Sequence, residues 1–322
     1  MAFTRETTGV EVVNELADRA AGKTIVITGA SDKGLGGETA IALAHAKPTH
    51  LILLARQQSR VEPVISQIKA LNPDVKVTFV PVSLDDLDSV RKAADTIDNA
   101  VDKLDILINN AGVMAIKEYT TNKAGIELQF ATNHLGHFLF TKLLMPKILA
   151  AGPGARIVNL TSLGHKIGPV RLDDYNFSNG AEYDPWSAYG QSKTANILFT
   201  VALAKKLHDK NIFSFAVHPG NIFSTSLASH LADFGAEIDE IKAAALRNTG
   251  RPFPIDAEAP KPIEQGITTT LVAALDPTIE SQSGSYLADA QIAPAYEYAT
   301  SEENADRLWK LSEKLVGEKF DI

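Results

Sequence analysis

The sequence contains no cysteine among its 322 residues. Disulfides, thiolate metal sites and cysteine nucleophiles are therefore excluded, and any redox chemistry has to come from a cofactor. The sequence also has no apolar run of about 18 residues, the length that a membrane-spanning helix needs. Residues 1–22 contain acidic side chains and lack the apolar centre of a signal peptide. We therefore expect a cytoplasmic protein with no membrane partner.

Positive charge is also scarce. Against 39 Asp and Glu the chain carries 31 Lys and Arg, which gives a net charge of −8 and a pI near 5.5. This balance argues against a nucleic-acid partner and an anionic membrane surface, but it permits a local basic pocket for a phosphate. The sequence has no His-Glu-x-x-His motif or comparable cluster, so we expect no metal site.

Short apolar runs alternate with longer helical patterns over most of the chain. The runs lack in-out alternation, which is typical of parallel strands buried on both faces. We predict an α/β fold, a single-domain Rossmann-type doubly wound parallel sheet with helices on both faces. The predicted strands are 24–28, 51–55, 75–80, 106–109, 156–160 and 213–217, and the predicted helices are 35–47, 60–71, 87–102, 125–149 and 188–209.

The two ends and one interior segment depart from this alternation. Residues 1–22 are predicted to form an N-terminal leader helix, and residues 23–322 a single dinucleotide-binding catalytic domain. Prolines interrupt residues 223–262, which we interpret as a mobile substrate flap with a helix near 236–248. A helix at 263–275, a last strand at 285–288 and a terminal helix at 302–316 are predicted to follow.

Two turns rich in small residues are predicted at strand ends. Residues 28–36, Thr-Gly-Ala-Ser-Asp-Lys-Gly-Leu-Gly, follow the first strand and open the first helix. Glycines let a backbone approach a pyrophosphate, and a helix N-terminus offers it free N–H groups. The Asn-Asn-Ala-Gly sequence at 109–112 would let a nucleotide pass close to another strand end. Either turn alone is also typical of an ordinary β-α connection.

Tyr189 and Lys193 lie four positions apart on one face of the predicted helix 188–209. An ammonium beside a phenol favours the phenolate, so we expect Lys193 to lower the pKa of Tyr189 and make it an acid–base group. Because this spacing is common on exposed helices, the interpretation depends on the other motifs. Ser162 follows a strand end, where a serine is usually a cap. Asn133, in an apolar helix, is either a satisfied core residue or part of a relay.

These stretches, together with His-Pro-Gly at 218–220, resemble the short-chain dehydrogenase/reductase family in order and spacing over about residues 22–287. Asn-His-Leu-Gly-His at 133–137, the stretch 186–196 and Gly-Ser-Tyr-Leu at 284–287 are most similar to retinol-dehydrogenase-like and WW-domain-oxidoreductase-like members, especially soluble microbial ones.

The resemblance implies a role for each residue of a catalytic group. Tyr189 is implied as the general acid/base, with Lys193 lowering its pKa and holding the nicotinamide ribose. Ser162 is implied to position the substrate oxygen, and Asn133 to support a water relay. Hydrogen bonds from Ser162 and Tyr189 would stabilise an oxygen that becomes negative as hydride arrives.

The sequence departs from the family pattern in three places around the cofactor. The glycine turn has one residue more than usual between Gly29 and Gly34, and Ser83 stands where relatives usually place an aspartate. The threonine that normally holds the carboxamide corresponds to Thr225 or Ser224, and we choose Thr225. The expected cofactor-binding residues are Gly29, Ser31, Lys33, Gly34, Leu35, Gly36, Arg56, Ser83, Leu84, Asn110, Ala111, Gly112, Tyr189, Lys193, Pro219, Gly220, Ile222 and Thr225.

The end of the second strand predicts that the cofactor is NADP(H). An acidic residue there would bind the ribose hydroxyls and repel a 2′-phosphate, whereas an arginine accommodates it. Ala55 fills the acidic position and Arg56 follows with a planar fork suited to phosphate. Lys33 is a second candidate cation, partly offset by Asp32. The alternative is that both cations are solvated surface charges.

We predict an NADP-dependent oxidoreductase that interconverts a carbonyl and an alcohol on a bulky, apolar small-molecule substrate. Aromatic residues in 165–186 and in the flap favour such a substrate, although they could equally be core packing. An alternative is a non-catalytic NADP(H)-sensing regulatory protein, but such relatives usually lose the tyrosine or the lysine. A serine hydrolase using His165 or His218 is less favoured, because no Gly-x-Ser-x-Gly surrounds Ser162. Homo-oligomer formation through helices 125–149 and 188–209, common in the family, stays open.

Overall fold

A computed structural model describes residues 3–231, 234–255 and 259–322. The strands are β1 Thr24–Thr28, β2 His50–Ala55, β3 Lys76–Pro81, β4 Ile106–Asn109, β5 Arg156–Leu160, β6 Phe213–His218, β7 Tyr286–Ala288 and β8 Gln291–Ile292. They form an eight-stranded sheet in the order β3-β2-β1-β4-β5-β6-β7-β8. Neighbouring strands are parallel except β7 and β8, which are antiparallel. The predicted doubly wound α/β fold is confirmed.

Thirteen α-helices lie in the described part of the chain outside the strands. They are α1 Gly9–Glu15, α2 Ala17–Ala20, α3 Leu35–Ala44, α4 Glu62–Leu71, α5 Leu87–Asp98, α6 Leu128–Phe130, α7 Gly136–Ala151, α8 Pro185–Leu207, α9 Phe234–Thr249, α10 Ile263–Gly266, α11 Thr268–Leu275, α12 Glu297–Thr300 and α13 Glu302–Val316. A π-helical turn, Ala131–Leu135, joins α6 to α7.

The sheet separates two hydrophobic cores, one on each face. Successive residues of β1 show this separation, since Val26 belongs to the core under α5, α7, α8 and α13, whereas Ile25 and Ile27 belong to the core under α1, α3, α4 and α11. Side chains alternate between the two faces of a strand, and here both faces are buried. A continuous apolar run is therefore the pattern that this sheet requires.

The N-terminal residues form two helices rather than the single leader helix predicted. Thr8 and Glu11 cap α1 reciprocally, because the Thr8 hydroxyl accepts the N–H of Glu11 and the Glu11 carboxylate accepts the N–H of Thr8. The chain then bends at Leu16 before α2. A Cβ atom on Gly9 would lie 2.3 Å from the Cδ1 atom of Ile267, so α1 packs directly on the start of α11.

Two predicted helix boundaries beside the site are wrong for identifiable reasons. Helix α8 begins at Pro185 rather than at residue 188, because Asp184 accepts the N–H of Ser187 at 2.6 Å and proline fits a first helical turn. The predicted helix 125–149 begins only at Leu128 and contains the π turn, in which Asn133 lies. Such turns inside helices are frequent at functional sites.

The C-terminal half also differs in detail from the predictions. The predicted helix 263–275 is interrupted at Ile267, and β7 starts one residue later than predicted and pairs with β8, which the sequence did not reveal. Helix α9 lies within the predicted flap 223–262, of which residues 232–233 and 256–258 lie outside the described residues. The mobility of this flap stays a prediction.

Helix α13 packs on part of α7 and α8, the two helices considered for pairing between chains. The Trp309 ring stacks on Phe320 with centroids 4.7 Å apart and meets Phe138 and Phe199 at 5.1 and 5.9 Å. These rings are all buried in one core. Pairing through the exposed faces of α7 and α8 stays a prediction.

Within the described ranges, none of the helices has the length and apolar content needed to cross a membrane.

Trp309→Ala should lower the free energy of unfolding by about 3–5 kcal/mol, the usual range for truncating a buried Trp, because it leaves a cavity between α13 and α8. Urea denaturation measures the change. Leu246→Ala is the control, since Leu246 is 59% exposed on α9 and should change stability by no more than about 0.5 kcal/mol. Equal effects of the two substitutions would contradict this description of the α13 contact.

Candidate active site

The predicted site residues converge at one edge of the sheet. Strands β1, β2, β3, β4, β5 and β6 are parallel, so the segments that follow them all leave at the same edge. The strand order reverses between β1 and β4, and crevices at such reversals are where doubly wound folds bind ligands.

The glycine turn after β1 is too close to its neighbours for larger side chains. Gly29 has φ +70°, and a Cβ atom there would lie 2.8 Å from the Cα atom of Ala111. A Cβ atom on Gly36 would lie 2.6 Å from the Gly29 carbonyl oxygen and 2.5 Å from Asn110 Nδ2. Both positions therefore require glycine. Gly34 precedes α3 as its N-cap and places no side chain over the helix N-terminus.

The additional residue of the glycine turn is accommodated by a left-handed conformation at Lys33, where φ is 57°. The Gly34 N–H donates to the Ser31 carbonyl at 3.1 Å, and the Asp32 N–H donates to the Arg60 carbonyl at 2.7 Å. Arg60, in a short 3₁₀ turn after β2, therefore supports the cofactor turn through its backbone, a contact that the sequence analysis missed. The Lys33 side chain is exposed.

Thr28 joins the glycine turn to the Asn-Asn-Ala-Gly turn. Its hydroxyl accepts the N–H groups of Asn110 and Ala111 at 2.9 and 3.0 Å. Asn110 Nδ2 donates in return to the carbonyls of Thr28 and Gly29 at 2.8 and 3.2 Å. Thr28 was absent from the predicted binding residues, although a threonine at the last position of a strand that precedes a glycine turn was a visible signal.

Tyr189, Lys193 and Ser162 are brought together, as predicted from the sequence. Lys193 Nζ lies 5.6 Å from the centroid of the Tyr189 ring and 3.4 Å from the Leu160 carbonyl oxygen. The Ser162 hydroxyl lies beside the Tyr189 ring, because a Cβ atom on Gly164 would be 2.7 Å from Tyr189 Cε1 and 3.4 Å from Ser162 Oγ. It also accepts the N–H of Gly164 at 3.0 Å, so Ser162 is a turn cap as well as a neighbour of the tyrosine.

The expected acid strength of Tyr189 is not what the structure gives. Burial raises the pKa of Tyr189 to about 12, and the neighbouring Ser162 hydroxyl opposes this rise only in part. Burial also lowers the pKa of Lys193 to about 8. Desolvation disfavours the charged form of both groups, and in the cofactor-free protein it outweighs the attraction between ammonium and phenolate on which the prediction relied.

Asn133 is fully hydrogen-bonded inside the π turn. Its Oδ1 atom accepts the Val113 N–H at 2.8 Å, and its Nδ2 atom donates to the Val113 carbonyl and to Ser192 Oγ, both at 2.9 Å. Ser192 Oγ donates to the Tyr189 carbonyl at 2.8 Å. Asn133 thus connects the chain after Gly112 to the catalytic helix α8. Of the two alternatives for Asn133, the structure gives the satisfied side chain, and the water relay that the resemblance implies stays a prediction.

The segment after β6 places further predicted residues beside the glycine turn. Gly220 follows Pro219 with φ +96°, and a Cβ atom on Gly266 would contact both Ile222 at 2.7 Å and Leu35 at 3.1 Å. The Thr225 hydroxyl donates to the Ile222 carbonyl at 3.4 Å. A buried Lys261, which the sequence analysis missed, packs beside Gly220 and pairs with Asp289.

The residues predicted to bind the adenosine end lie after β2 and β3. Ala55 is buried at the end of β2, whereas Arg56 is exposed. The Ser83 hydroxyl donates to Asp85 at 2.6 Å, so the serine that replaces an aspartate has a local partner. Leu84 is buried.

The two histidines considered for a hydrolase contact the backbone of the Ser162 segment. His165 Nδ1 lies 2.8 Å from the Ser162 carbonyl, and His218 Nδ1 accepts the Leu163 N–H at 3.2 Å. The Ser162 hydroxyl instead lies beside Tyr189, which favours the tyrosine-based group. Across the three described ranges, no cluster of three His, Asp or Glu side chains could hold a metal ion.

An apolar cluster covers Tyr189 on the flap side. Trp186 meets the Tyr189 ring edge-on with centroids 6.1 Å apart, and α9 contributes Ile241 to the same cluster. Trp186 Nε1 donates to Glu237 at 2.9 Å, which ties α9 to α8. The cluster comprises Met114, Ala115, Ile167, Trp186, Tyr189, Ile241, Ala244, Ala245 and Phe253.

The other aromatic residues of 165–186 are core packing. Tyr175 stacks on Phe130 with centroids 6.2 Å apart, and Phe177 is 1% exposed against Tyr183. The Tyr183 hydroxyl donates to the Ile116 carbonyl at 2.7 Å. Of the predicted aromatic lining, the side chain that joins the Tyr189 cluster is therefore Trp186.

A doubly wound sheet with a glycine turn at its reversal point, a buried Tyr-Lys pair and a partly buried serine beside the tyrosine defines a dinucleotide-binding oxidoreductase as the class of protein. A sequence model described as short chain dehydrogenase matches residues 23–234. Retinol dehydrogenase 13 from Homo sapiens is 37% identical over 297 residues, which cover 92% of this chain and 85% of that protein. Short-chain dehydrogenase TIC 32 A, chloroplastic, from Brassica napus is 34% identical, with 91% and 88% covered.

Solved structures show the same fold. An uncharacterized protein from Mycobacterium Paratuberculosis matches with a TM-score of 0.69 and 32% identity, covering 94% of this chain and 96% of that one. The NADPH bound carbonyl reductase from chicken fatty liver matches with a TM-score of 0.60 at 19% identity, covering 86% and 100%. The chain belongs to the short-chain dehydrogenase/reductase family, whose members use a nicotinamide cofactor on small-molecule substrates. Because one relative is chloroplastic by name, the cytoplasmic location stays a prediction.

Lys193→Met should stabilise the cofactor-free protein more at pH 7 than at pH 9.5. With its pKa near 8 in the fold, Lys193 gives up its proton at lower pH than in the unfolded chain, so it opposes folding at neutral pH. This cost disappears as the pH rises from about 8 towards the ordinary lysine value of about 10.4. The difference in unfolding free energy between variant and wild type should fall by on the order of 2 kcal/mol between the two pH values.

Urea denaturation at both pH values measures this difference. Lys92→Met, at an exposed position on α5, controls for the loss of a lysine charge and should show a much smaller pH effect. A difference for Lys193→Met that does not change with pH would contradict its desolvation.

Proposed function

We propose that this protein is an NADP-dependent oxidoreductase that interconverts a carbonyl and an alcohol on a bulky, apolar substrate. The observation that carries the proposal is the buried pair of Tyr189 and Lys193, with the partly buried Ser162 beside Tyr189, at the edge where the glycine turn lies. A phenol and a hydroxyl that lie side by side can both hydrogen-bond one substrate oxygen, which is the requirement for proton transfer with charge stabilisation.

The residues at this edge fit a nicotinamide dinucleotide. Gly34 leaves the first-turn N–H groups of α3 available to a pyrophosphate. A Cβ atom on Gly112 would lie 3.4 Å from Lys193 Nζ and 3.2 Å from Asn133 Oδ1, so glycine keeps the approach to Lys193 open. Lys193 would bind the nicotinamide ribose there, and Thr225 the carboxamide. When bound, the cofactor supplies or accepts the hydride.

Each catalytic residue has a distinct task in the proposed reduction. Tyr189 donates its proton to the carbonyl oxygen, and its raised pKa keeps that proton in place at neutral pH before reaction. Ser162 donates a hydrogen bond to the same oxygen while negative charge develops on it. The Lys193 ammonium stabilises the phenolate that remains. Asn133 supports the water through which the proton returns to Tyr189.

An apolar substrate is supported by the side chains around the phenol. Trp186, Ile241 and Phe253 surround Tyr189 with hydrocarbon surface, contributed by α8 and by the predicted flap. Such surface favours an apolar ligand by removing it from water. The relatives named retinol dehydrogenases, at 33–37% identity, point to the same class of alcohol or carbonyl.

NADP(H) is proposed in preference to NAD(H) on the ground of charge. The position of Ala55 has no carboxylate to repel a 2′-phosphate, and Arg56 next to it is exposed and can reach one. Lys33 is exposed on the glycine turn and adds a second cation on that side. The sensor alternative is less supported, because Tyr189 and Lys193 are both retained and buried together.

Tyr189→Phe should lower kcat by about 10²-fold or more while NADPH still binds, because the ring is kept and the proton donor is removed. Steady-state reduction of a panel of aldehydes, ketones and quinones measures turnover, and quenching of protein fluorescence measures NADPH binding. Near-normal kcat in the variant would refute the role of Tyr189. NADPH binding by the wild type without turnover on any carbonyl would favour the sensor.

Arg56→Ala should lower the preference for NADPH over NADH, measured as the ratio of the two kcat/KM values, by roughly 10- to 100-fold, the value of one charge-assisted hydrogen bond. Arg60→Ala is the matched variant, since Arg60 is an exposed arginine on the same turn that contacts the glycine turn through its backbone. A larger loss of preference with Arg60→Ala, or equal use of both cofactors by the wild type, would overturn the assignment to Arg56.

A further inference from the structure

His137 lies in a buried chain of hydrogen bonds between the cofactor turns and Asn133. Its Nε2 atom is 2.8 Å from Thr28 Oγ1, and its Nδ1 atom is 3.0 Å from the Asn133 carbonyl oxygen. The imidazole is 2% exposed. Each of its two nitrogens therefore has a partner, one on either side of the site.

Donor and acceptor counting assigns the protons in this chain. The Thr28 hydroxyl already accepts two N–H groups, from Asn110 and Ala111, so its two lone pairs are used and its single proton is donated to His137 Nε2. The Asn133 carbonyl can only accept, so His137 Nδ1 carries the ring proton. His137 is therefore the neutral Nδ1–H tautomer, which is the less common form of histidine in water.

The surroundings keep His137 neutral. Burial lowers its pKa to about 4, and the Lys193 ammonium acts in the same direction, while the bond to the Asn133 carbonyl opposes it. His134, the other titratable group close to it on the same helical segment, is held neutral by burial as well. A second positive charge beside Lys193 is thereby avoided at the pH at which the enzyme would work.

We propose that His137 is a positioning residue, which fixes the Asn133 backbone in the π turn and couples it to the two turns that bind the cofactor. A carbonyl oxygen has two lone pairs, and the Nδ1–H group occupies one of those of Asn133. Thr28 hydrogen-bonds to the Asn-Asn-Ala-Gly turn and to His137, and His137 hydrogen-bonds to Asn133. The two turns and the Asn133 backbone therefore belong to one hydrogen-bonded network. This inference rests on the proposed function only where it concerns turnover.

The tautomer can be measured without any substrate. Nitrogen-15 NMR of the cofactor-free protein, labelled on histidine, should show His137 as the neutral Nδ1–H form from pH 6 to pH 8. The resonance is assigned by its loss in His137→Gln. A neutral Nε2–H form, or protonation within this range, would overturn the proposal, whatever the protein does to carbonyl compounds.

The positioning role is tested by turnover of decanal, an apolar aldehyde, with NADPH. His137→Leu removes both hydrogen bonds and should lower kcat about tenfold, the effect of losing one hydrogen bond of roughly 1.4 kcal/mol, with a smaller change in the NADPH dissociation constant. The solvent deuterium isotope effect on kcat should rise, since proton return becomes slower. His137→Asn restores an N–H donor near Nδ1 and should recover part of kcat.

His134→Leu is the matched control. His134 is a fully buried histidine one turn earlier, and its Nε2 atom pairs with Ser312 of α13 at 2.8 Å, away from the site. It should cost stability but leave kcat and the isotope effect as in the wild type. Wild-type kcat and isotope effect in His137→Leu, or equal changes in His134→Leu, would refute the positioning role. If the wild type turns over no carbonyl at all, the proposed function fails, and the NMR result still decides the tautomer.

Discussion

The hydrogen bonds accepted by the Thr28 hydroxyl are the interaction on which the candidate site depends most. The reversal of strand order between β1 and β4 creates a crevice, but the reversal alone does not fix the distance between the turns that follow the two strands. Thr28 fixes this distance by accepting the N–H groups of Asn110 and Ala111. The close approach of Gly29 and Gly36 to those residues is possible only with the two turns in this register. One side chain thus joins the glycine turn to the Asn-Asn-Ala-Gly turn.

Desolvation is the second constraint, and it acts on both Tyr189 and Lys193. The fold buries Tyr189 and Lys193 together, which raises the pKa of the phenol and lowers that of the ammonium. Each shift favours the neutral form, so at neutral pH Tyr189 is uncharged, whereas Lys193, with a pKa near 8, still carries most of its positive charge. An apolar cluster can therefore pack against Tyr189 without isolating a fixed charge.

The fold was predictable because strands buried on both faces, such as Thr24–Thr28, must be apolar at every position. Gly29, Tyr189, Ser162 and Lys193 were recognisable because their chemistry admits few substitutes. The pKa of Tyr189 was not predictable from the sequence. The spacing of Tyr189 to Lys193 is local, whereas the burial that raises the pKa comes from residues such as Ile241, which are distant in sequence. The Thr28–His137 contact spans 109 positions and likewise has no local signature.

Helix α13 helps to fix the position of α8. It packs on α8, which carries Tyr189 and Lys193, through the rings of Trp309 and Phe199. Because α13 belongs to the same chain, its local concentration beside α8 is set by the connecting residues and not by the amount of protein in solution. Dilution therefore does not remove this support. The position of α8 is in this respect a property of the single chain.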